Sequence, residues 1–170
     1  MENNETITEK DKRIALHYME TLVDVARESF LILDADLEVV SANDIFYQTF
    51  QVSPEQTEGI SLYKLGNGQW DIPELKKLLG EILPQKKVVR DYEVMHVFET
   101  IGAKTMMLNA RQVDTVQLII LAIEDLTNVK AFTDKIKELE ALNKTMVGRE
   151  LKMVELKKEI ETLRQAQGKS

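Results

Sequence analysis

The stretch QLIILAIEDLT, residues 117–127, contains the longest apolar run of the chain, from Leu118 to Ile123. The run is too short to cross a bilayer and is rich in residues that favour β-strands, so it predicts a buried strand. It ends at Glu124, and after Thr127 the sequence changes to a long charged pattern with helical periodicity. We therefore expect a folded domain before this point and one extended helix after it.

The composition limits the chain to one domain with an appendage. Its 170 residues, 44% of them hydrophobic, can bury one core. The absence of cysteine excludes disulfides, thiolate metal sites, a cysteine nucleophile and thioether-linked haem or flavin. The first residues are acidic and polar, and no apolar run reaches the roughly 18 residues of a membrane span. We therefore expect a cytoplasmic protein that does not contact a membrane.

The charge is unevenly distributed along the chain. The formal net charge is −7, but residues 1–127 carry 12 basic and 22 acidic side chains, whereas residues 128–170 carry 10 basic and 7 acidic ones. The strong acidity of the first part argues against a nucleic acid as its partner. Basic residues of the second part are interleaved with glutamates, which is typical of a solvated helix surface.

Capping residues and hydrophobic periodicity predict the elements before the apolar run. Thr8 or Thr6 can cap a first amphipathic helix, and Asn43 can cap a short one. Ser53 to Gln56 is a helix start with proline at its first position, and Asp71 to Glu74 caps another helix, which we expect to end at Pro84. The expected elements are a helix, two strands and a helix over residues 6–27, 29–34, 38–41 and 44–50, a helix start at 53–56, and a helix over 74–83.

Three β runs follow, over residues 88–98, 105–113 and 116–124, and only short turns separate them. In the first run, the even-numbered residues from 92 to 98 face one way and the odd-numbered residues face the other. Consecutive strands joined by tight turns predict an antiparallel meander.

This order of elements, with these residues in it, resembles a PAS domain over about residues 20–127. Four stretches carry the resemblance: FLILDADLEVVSAND at 30–44, GNGQWDIPELKKLL at 66–79, the meander, and EDLT at 124–127. The last stretch matches the Asp-x-Thr junction that connects PAS domains to an output helix. The resemblance thus implies a signal junction at Glu124, Asp125 and Thr127.

A PAS domain has an α+β fold, in which a five-stranded antiparallel sheet holds a hydrophobic pocket against short helices on one face. The N-terminal amphipathic helix would cover the other face, where many PAS domains also dimerise. The resemblance implies three parts: a flanking helix over 1–27, a sensory domain over 28–127, and a coiled-coil signalling helix over 128–170.

The ligand of the implied pocket is unknown. Photosensory relatives attach flavin or coumaric acid through a cysteine, and haem-binding relatives use a histidine on the helix before the meander; this chain has neither. His96 is a further haem candidate, although a hydrogen-bonded core or interface histidine is the simpler interpretation. Asn109 and Arg111 share one face of their strand and could meet a carboxylate ligand, or Arg111 could pair with Asp91 or Glu93.

Trp70, the only tryptophan, has two interpretations. It is either a core plug that closes one end of the domain or a lid that moves when the pocket fills. The residues predicted to line the pocket are Trp70, Tyr92, His96, Phe98, Met107, Asn109 and Arg111.

Catalysis and metal binding find no support in the sequence. No Ser-His-Asp set, P-loop or His/Glu spacing for a metal occurs, and the acidic residues fall mainly on caps, turns and exposed faces. We therefore do not expect an enzyme.

The last part of the chain predicts a coiled coil of two helices. Its apolar positions follow a seam whose phase shifts by three residues around Asn143, and Arg149 then falls on an inward position. The segment 143–160 also resembles linkers after PAS domains in bacterial sensor kinases. The predicted interface consists of Val129, Phe132, Ile136, Leu139, Leu142, Met146, Met153, Leu156, Ile160 and Leu163.

Two functions follow as expectations. The first is a sensory module that forms a homodimer through its flanking helices and passes ligand or partner binding to a histidine kinase or another signalling output. The second is a dimerisation scaffold with a filled core that binds no ligand. A pocket plugged by Trp70, Met95 and Phe98 would favour the scaffold.

Overall fold

The computed structural model describes residues 8–167, without the side chains of residues 163 and 165–167. Residues 6 and 7 of the predicted first helix, and the side chain of the predicted interface residue Leu163, lie outside this part. The chain divides after Thr127 into two compact units.

The first helix, α1, spans Glu9–Asp24 and begins at the predicted cap Thr8. The Thr8 hydroxyl accepts the backbone N–H of Asp11, and the Asp11 carboxylate accepts the backbone N–H of Thr8. This reciprocal arrangement satisfies two N–H groups that a helix start leaves free. The helix ends three residues earlier than predicted because the carbonyl of Val23 accepts from Asn43 and Ala26 instead of continuing the helix.

Five strands form one antiparallel sheet, as predicted. In chain order they are β1 to β5, and their spatial order is β2-β1-β5-β4-β3. The apolar run of the sequence forms the central strand β5, between β1 and β4. The strand bounds are Ser29–Leu33, Val39–Ala42, Val88–Phe98, Gly102–Val113 and Leu118–Asp125.

The two faces of the sheet are covered differently. On the inner face, the core packs α2 (Asp44–Phe50), a 3₁₀ turn (Leu62–Lys64) and the helix before β3 against the sheet. A second 3₁₀ turn, Pro54–Gln56, forms where the sequence predicts a helix start, and it has no buried residue. On the outer face, α1 packs Leu16 and Met19 against a smaller cluster around Ile32. The predicted role of the N-terminal helix as a cover is therefore confirmed for this part of the sheet.

The third helix, α3, does not end at Pro84, which corrects the prediction. It consists of three consecutive segments, Pro73–Lys77, a π-helical Leu78–Ile82 and Leu83–Lys86. In the π segment the N–H of Leu83 bonds to the carbonyl of Leu78, five residues earlier. Pro84 then lies in the first turn of a new α-helical segment, where its missing N–H is tolerated.

The last helix, α4, spans Thr127–Gln167. Its described apolar side chains at the predicted seam are all about half exposed or more. Within residues 8–167, no helix combines the length and the hydropathy that a membrane span requires.

Candidate functional site

The predicted signal junction lies where β5 ends and α4 begins, and the carboxylate of Asp125 is its centre. Asp125 Oδ1 accepts the backbone N–H of Thr127 at 2.9 Å and the Thr127 hydroxyl at 2.5 Å. Asp125 Oδ2 accepts from Nζ of Lys104 at 2.6 Å. The ion pair is mostly shielded from solvent, since the Lys104 and Asp125 side chains are 19% and 27% exposed. Donors from two elements therefore fix this carboxylate.

The pKa of Asp125 reflects these contacts. Burial alone would raise it, but the hydrogen bonds from Lys104 and Thr127 and the charge of Lys104 outweigh burial and lower the pKa below its ordinary value. Asp125 is therefore ionised at neutral pH. A negative charge next to the first free N–H groups of a helix is also favourable for the helix dipole.

Strand β4 makes two further attachments to the junction. The backbone N–H of Thr105 donates to the Thr127 hydroxyl at 3.0 Å. The backbone N–H of Leu126 donates to the Thr105 carbonyl at 2.8 Å. Thr127, the first residue of α4, is thus bonded to β4 by its own side chain, and the preceding residue Leu126 is bonded to β4 by its backbone N–H.

Two partners at the junction, Lys104 and Thr105, are not indicated by the sequence. The β4–β5 pairing of Met106 with Asp125 brings them there, and the sequence does not specify this register. The third predicted junction residue, Glu124, is exposed and lies on the opposite face of β5 from Asp125. The structure therefore does not bring Glu124 into this hydrogen-bonded group.

The seven predicted pocket residues do not line one pocket, which corrects that prediction. Because side chains alternate across a strand, the structure divides the seven residues between the two faces of the sheet. The inner face holds Trp70, Tyr92, His96 and Phe98, and the outer face holds Met107, Asn109 and Arg111.

Around Trp70, the inner face is filled by aromatic and aliphatic side chains. Trp70 is only 4% exposed, and its ring lies 4.8 Å from Phe50, 5.3 Å from Phe98 and 5.7 Å from Phe46 between centroids. A hollow of only about 70 Å³ lies beside it. Trp70 therefore occupies the position of a core plug.

The GNGQW stretch has a structural role in placing Trp70. Gly66 and Gly68 have φ angles of +56° and +83°, a region that glycine adopts without strain. The side chain of Gln69 then donates to the Gly66 carbonyl and accepts the backbone N–H of Glu99. The loop is thereby tied to the β3–β4 turn next to the tryptophan.

His96 lies against an aromatic ring of the core. Its ring meets that of Phe98 edge-on, at 4.8 Å between centroids and 81° between planes. Among the described residues, no group of three or more His, Asp or Glu side chains is arranged to hold a metal ion.

Asn109 and Arg111 line a groove of about 260 Å³ on the outer face, as expected from their shared side of β4. Within residues 8–167, Arg111 forms no ion pair, so the predicted pairing with Asp91 or Glu93 is wrong. Instead, Asn109 Oδ1 accepts the backbone N–H of Asp91 at 3.0 Å. This bond holds a β-bulge in β3, where Asp91 has a φ of +54°.

Solved structures share this architecture at low sequence identity. A LOV protein of Rhodobacter sphaeroides matches with a TM-score of 0.57 and 13% identity, covering 68% of each chain. The PAS domain of Bordetella pertussis BvgS matches with a TM-score of 0.52 and 17% identity, over 75% of this chain and 98% of that one. The PAS domain of nitrogen regulation protein NR(II) from Vibrio parahaemolyticus matches with 0.50 and 18%, over 63% and 96%.

No family model and no curated protein matches the sequence. The likeness therefore concerns the fold, and it agrees with the strand order, the inner helices and the long helix after the sheet. A PAS domain from a two-component sensor histidine kinase matches in the same way, with a TM-score of 0.50. The chain has the PAS fold.

Proposed function

We propose that the chain is a dimeric signal-transmission module, in which a change in the sheet domain reaches the C-terminal helix through Asp125 and Thr127. The observation that carries this proposal is the hydrogen bonding at the junction. One carboxylate and one hydroxyl connect the first residue of α4 to Lys104 and Thr105 of β4. A shift of β4 or β5 would therefore alter the support of the helix start.

Dimerisation through the flanking helices is the second part of the proposal. The described seam of α4 exposes large apolar side chains, such as Phe132 at 72% and Ile136 at 57%. A long charged helix is marginal in isolation and is stabilised by packing against a partner. A second copy of the same helix, parallel to the first, would cover this seam.

The remaining assignments follow from this proposal. The flanking helix, sensory domain and signalling helix would occupy residues 1–27, 28–127 and 128–170. The partner would be a histidine kinase or another signalling output in the cytoplasm, and the module would bind and transmit rather than catalyse.

A ligandless dimerisation scaffold is the second candidate function. The specific observation that favours it is the filled part of the inner face around Trp70, where Trp70 and Phe98 are 4% and 5% exposed. Met95, the third side chain whose presence in the plug would favour the scaffold, is 72% exposed on the outer face. The scaffold would use the same dimer but would not respond to a ligand.

Native mass spectrometry of the full chain, compared with the mass after denaturation, tests the proposal. A dimer is expected under both candidate functions, and a monomer would contradict both. A small molecule that stays bound in the native protein and is lost on denaturation favours the sensor, and a dimer with no added mass favours the scaffold.

A further inference from the structure

The outer face of the sheet contains a groove with an apolar base. Phe30 of β1 and Ile120 and Ala122 of β5 form this base, and further apolar lining comes from Val88, Val89 and Ala110. Phe30 and Ile120 are half-buried and Ala122 is 6% exposed, so this base is already shielded from bulk water. The groove lies beside the part of the sheet that α1 covers at Ile32.

Three hydrogen-bond donors border the same groove. Arg90 of β3 and Arg111 and Asn109 of β4 line it on adjacent strands, with Val88 paired to Arg111. Because the oxygen of the Asn109 side chain is bonded to the backbone N–H of Asp91, the Asn109 amide group offers the groove its NH₂ donor. The bulge that this bond stabilises displaces Arg90 from the regular ladder.

The two arginines have no acidic partner within the part of the chain that the structure describes. Both side chains are exposed, although residues 1–127 carry 22 acidic side chains and only 12 basic ones. Two unpaired guanidinium groups beside an apolar base in an otherwise acidic domain favour an anionic ligand with an apolar body.

We infer that this groove binds a small carboxylate with a short apolar chain. Its carboxylate would accept from Arg90 and Arg111, since guanidinium groups match carboxylate geometry, and its chain would lie on Phe30 and Ile120. At about 260 Å³, the groove is slightly smaller than the pockets of roughly 300–1,000 Å³ that hold drug-sized ligands. The inference rests on the proposed function in one respect: the bound carboxylate would be the signal that the module transmits.

The test is a titration of the full chain with octanoate, followed by NMR of isotope-labelled methyl groups. Octanoate combines one carboxylate with an apolar chain that the groove can hold. The expected result is saturable shifts of the Ile120 and Val88 methyl signals. Octanol and acetate, which keep only the chain or only the charge, are expected to bind at least about tenfold more weakly.

Arginine variants assign the binding to this site. Arg111→Gln and Arg90→Gln are each expected to weaken octanoate binding about tenfold, because each removes a charged donor. Arg13→Gln, which removes an exposed arginine of α1, is the matched control and is expected to leave the affinity unchanged. Both groove arginines are exposed, so these variants are expected to fold.

Any of three results would overturn the inference: an octanoate affinity that is unchanged in both arginine variants, octanol binding as tight as octanoate binding, or octanoate-induced shifts confined to methyl groups outside the groove. Groove signals that respond to protein concentration but not to octanoate would identify an interface between copies instead. None of these results would contradict the dimer that native mass spectrometry tests, so the inference and the proposed function fail separately.

Discussion

Thr105 and Thr127 are joined by a 3.0 Å hydrogen bond from the backbone N–H of Thr105 to the hydroxyl oxygen of Thr127. The same hydroxyl donates to Asp125. The hydroxyl of Thr127 thus pairs with the backbone N–H of Thr105 in β4 and with the carboxylate of Asp125 in β5. This arrangement explains the Asp-x-Thr pattern, because Asp125 and Thr127 orient each other through their hydrogen bonds.

Thr127→Val should destabilise the fold by about 1–2 kcal/mol, since it keeps the side-chain shape but removes both hydrogen bonds of the hydroxyl. Thr127→Ser keeps the hydroxyl and should stay within about 0.5 kcal/mol of the original chain. Urea unfolding at one fixed protein concentration measures both free energies of unfolding. Equal stabilities of the two variants would show that the hydroxyl makes no net contribution.

Asp125→Asn should remove a contribution to stability that depends on pH. The pKa of Asp125 is lower in the folded chain than in the unfolded chain, where it is about 3.9. The contribution is therefore fully present above the unfolded pKa and is lost as the pH falls through the lower, folded pKa. Unfolding of both chains from about pH 7 to about pH 2 should show a stability difference that shrinks in acid. A difference that is constant across this range would contradict the prediction.

Asn43→Ala should be among the most destabilising single substitutions in the domain. Asn43 is 1% exposed, and its amide donates to the carbonyls of Val23 and Glu28 and accepts the N–H groups of Phe30 and Phe46. Its removal takes the buried partner from the carbonyl of Glu28 and the N–H of Phe30, and one of two hydrogen bonds from Val23 and Phe46, which costs about 3 kcal/mol.

Gln48→Ala provides the control for Asn43→Ala, because it removes an exposed amide from the same helix α2. It should change the free energy of unfolding by less than about 0.5 kcal/mol. If Asn43→Ala were equally mild, its four hydrogen bonds would not hold α1, β1 and α2 together.

Arg149→Leu should stabilise the dimer of α4, because the charged side chain falls on an inward position of the predicted seam after its phase shift at Asn143. The expected gain of about 1 kcal/mol corresponds to a rise in Tm of roughly 2–4 °C for a chain of this size. Lys144→Leu, which makes the same kind of exchange away from the seam, should not raise the Tm. Thermal unfolding at matched protein concentrations compares the two, and equal rises would argue against the predicted register.

The sequence predicted those features that depend on local patterns. The run from Leu118 to Ile123 predicted β5, the alternation from Val88 to Phe98 predicted β3 with its exact bounds, and Asn43 predicted the start of α2. In each case, periodicity or a capping side chain determines the local structure without knowledge of the rest of the fold.

Features that depend on tertiary contacts could not be predicted in this way. The π segment before Pro84 accommodates a residue that normally ends a helix, and no local pattern indicates it. The register of β4 against β5 decides that Lys104 reaches Asp125. The predicted pocket is divided because the pairing of β3 with β4 places His96 and Arg111 on opposite faces of the sheet.

Hydrogen exchange of the full chain and its Asp125→Ala variant tests the central claim most directly. If Asp125 holds the start of α4 to the sheet, exchange across residues 126–140 should accelerate in the variant, while β1 and β5 keep their protection. Asp134→Ala, which removes an exposed carboxylate of α4, should leave both regions unchanged. Unchanged exchange across residues 126–140 in Asp125→Ala would contradict the account.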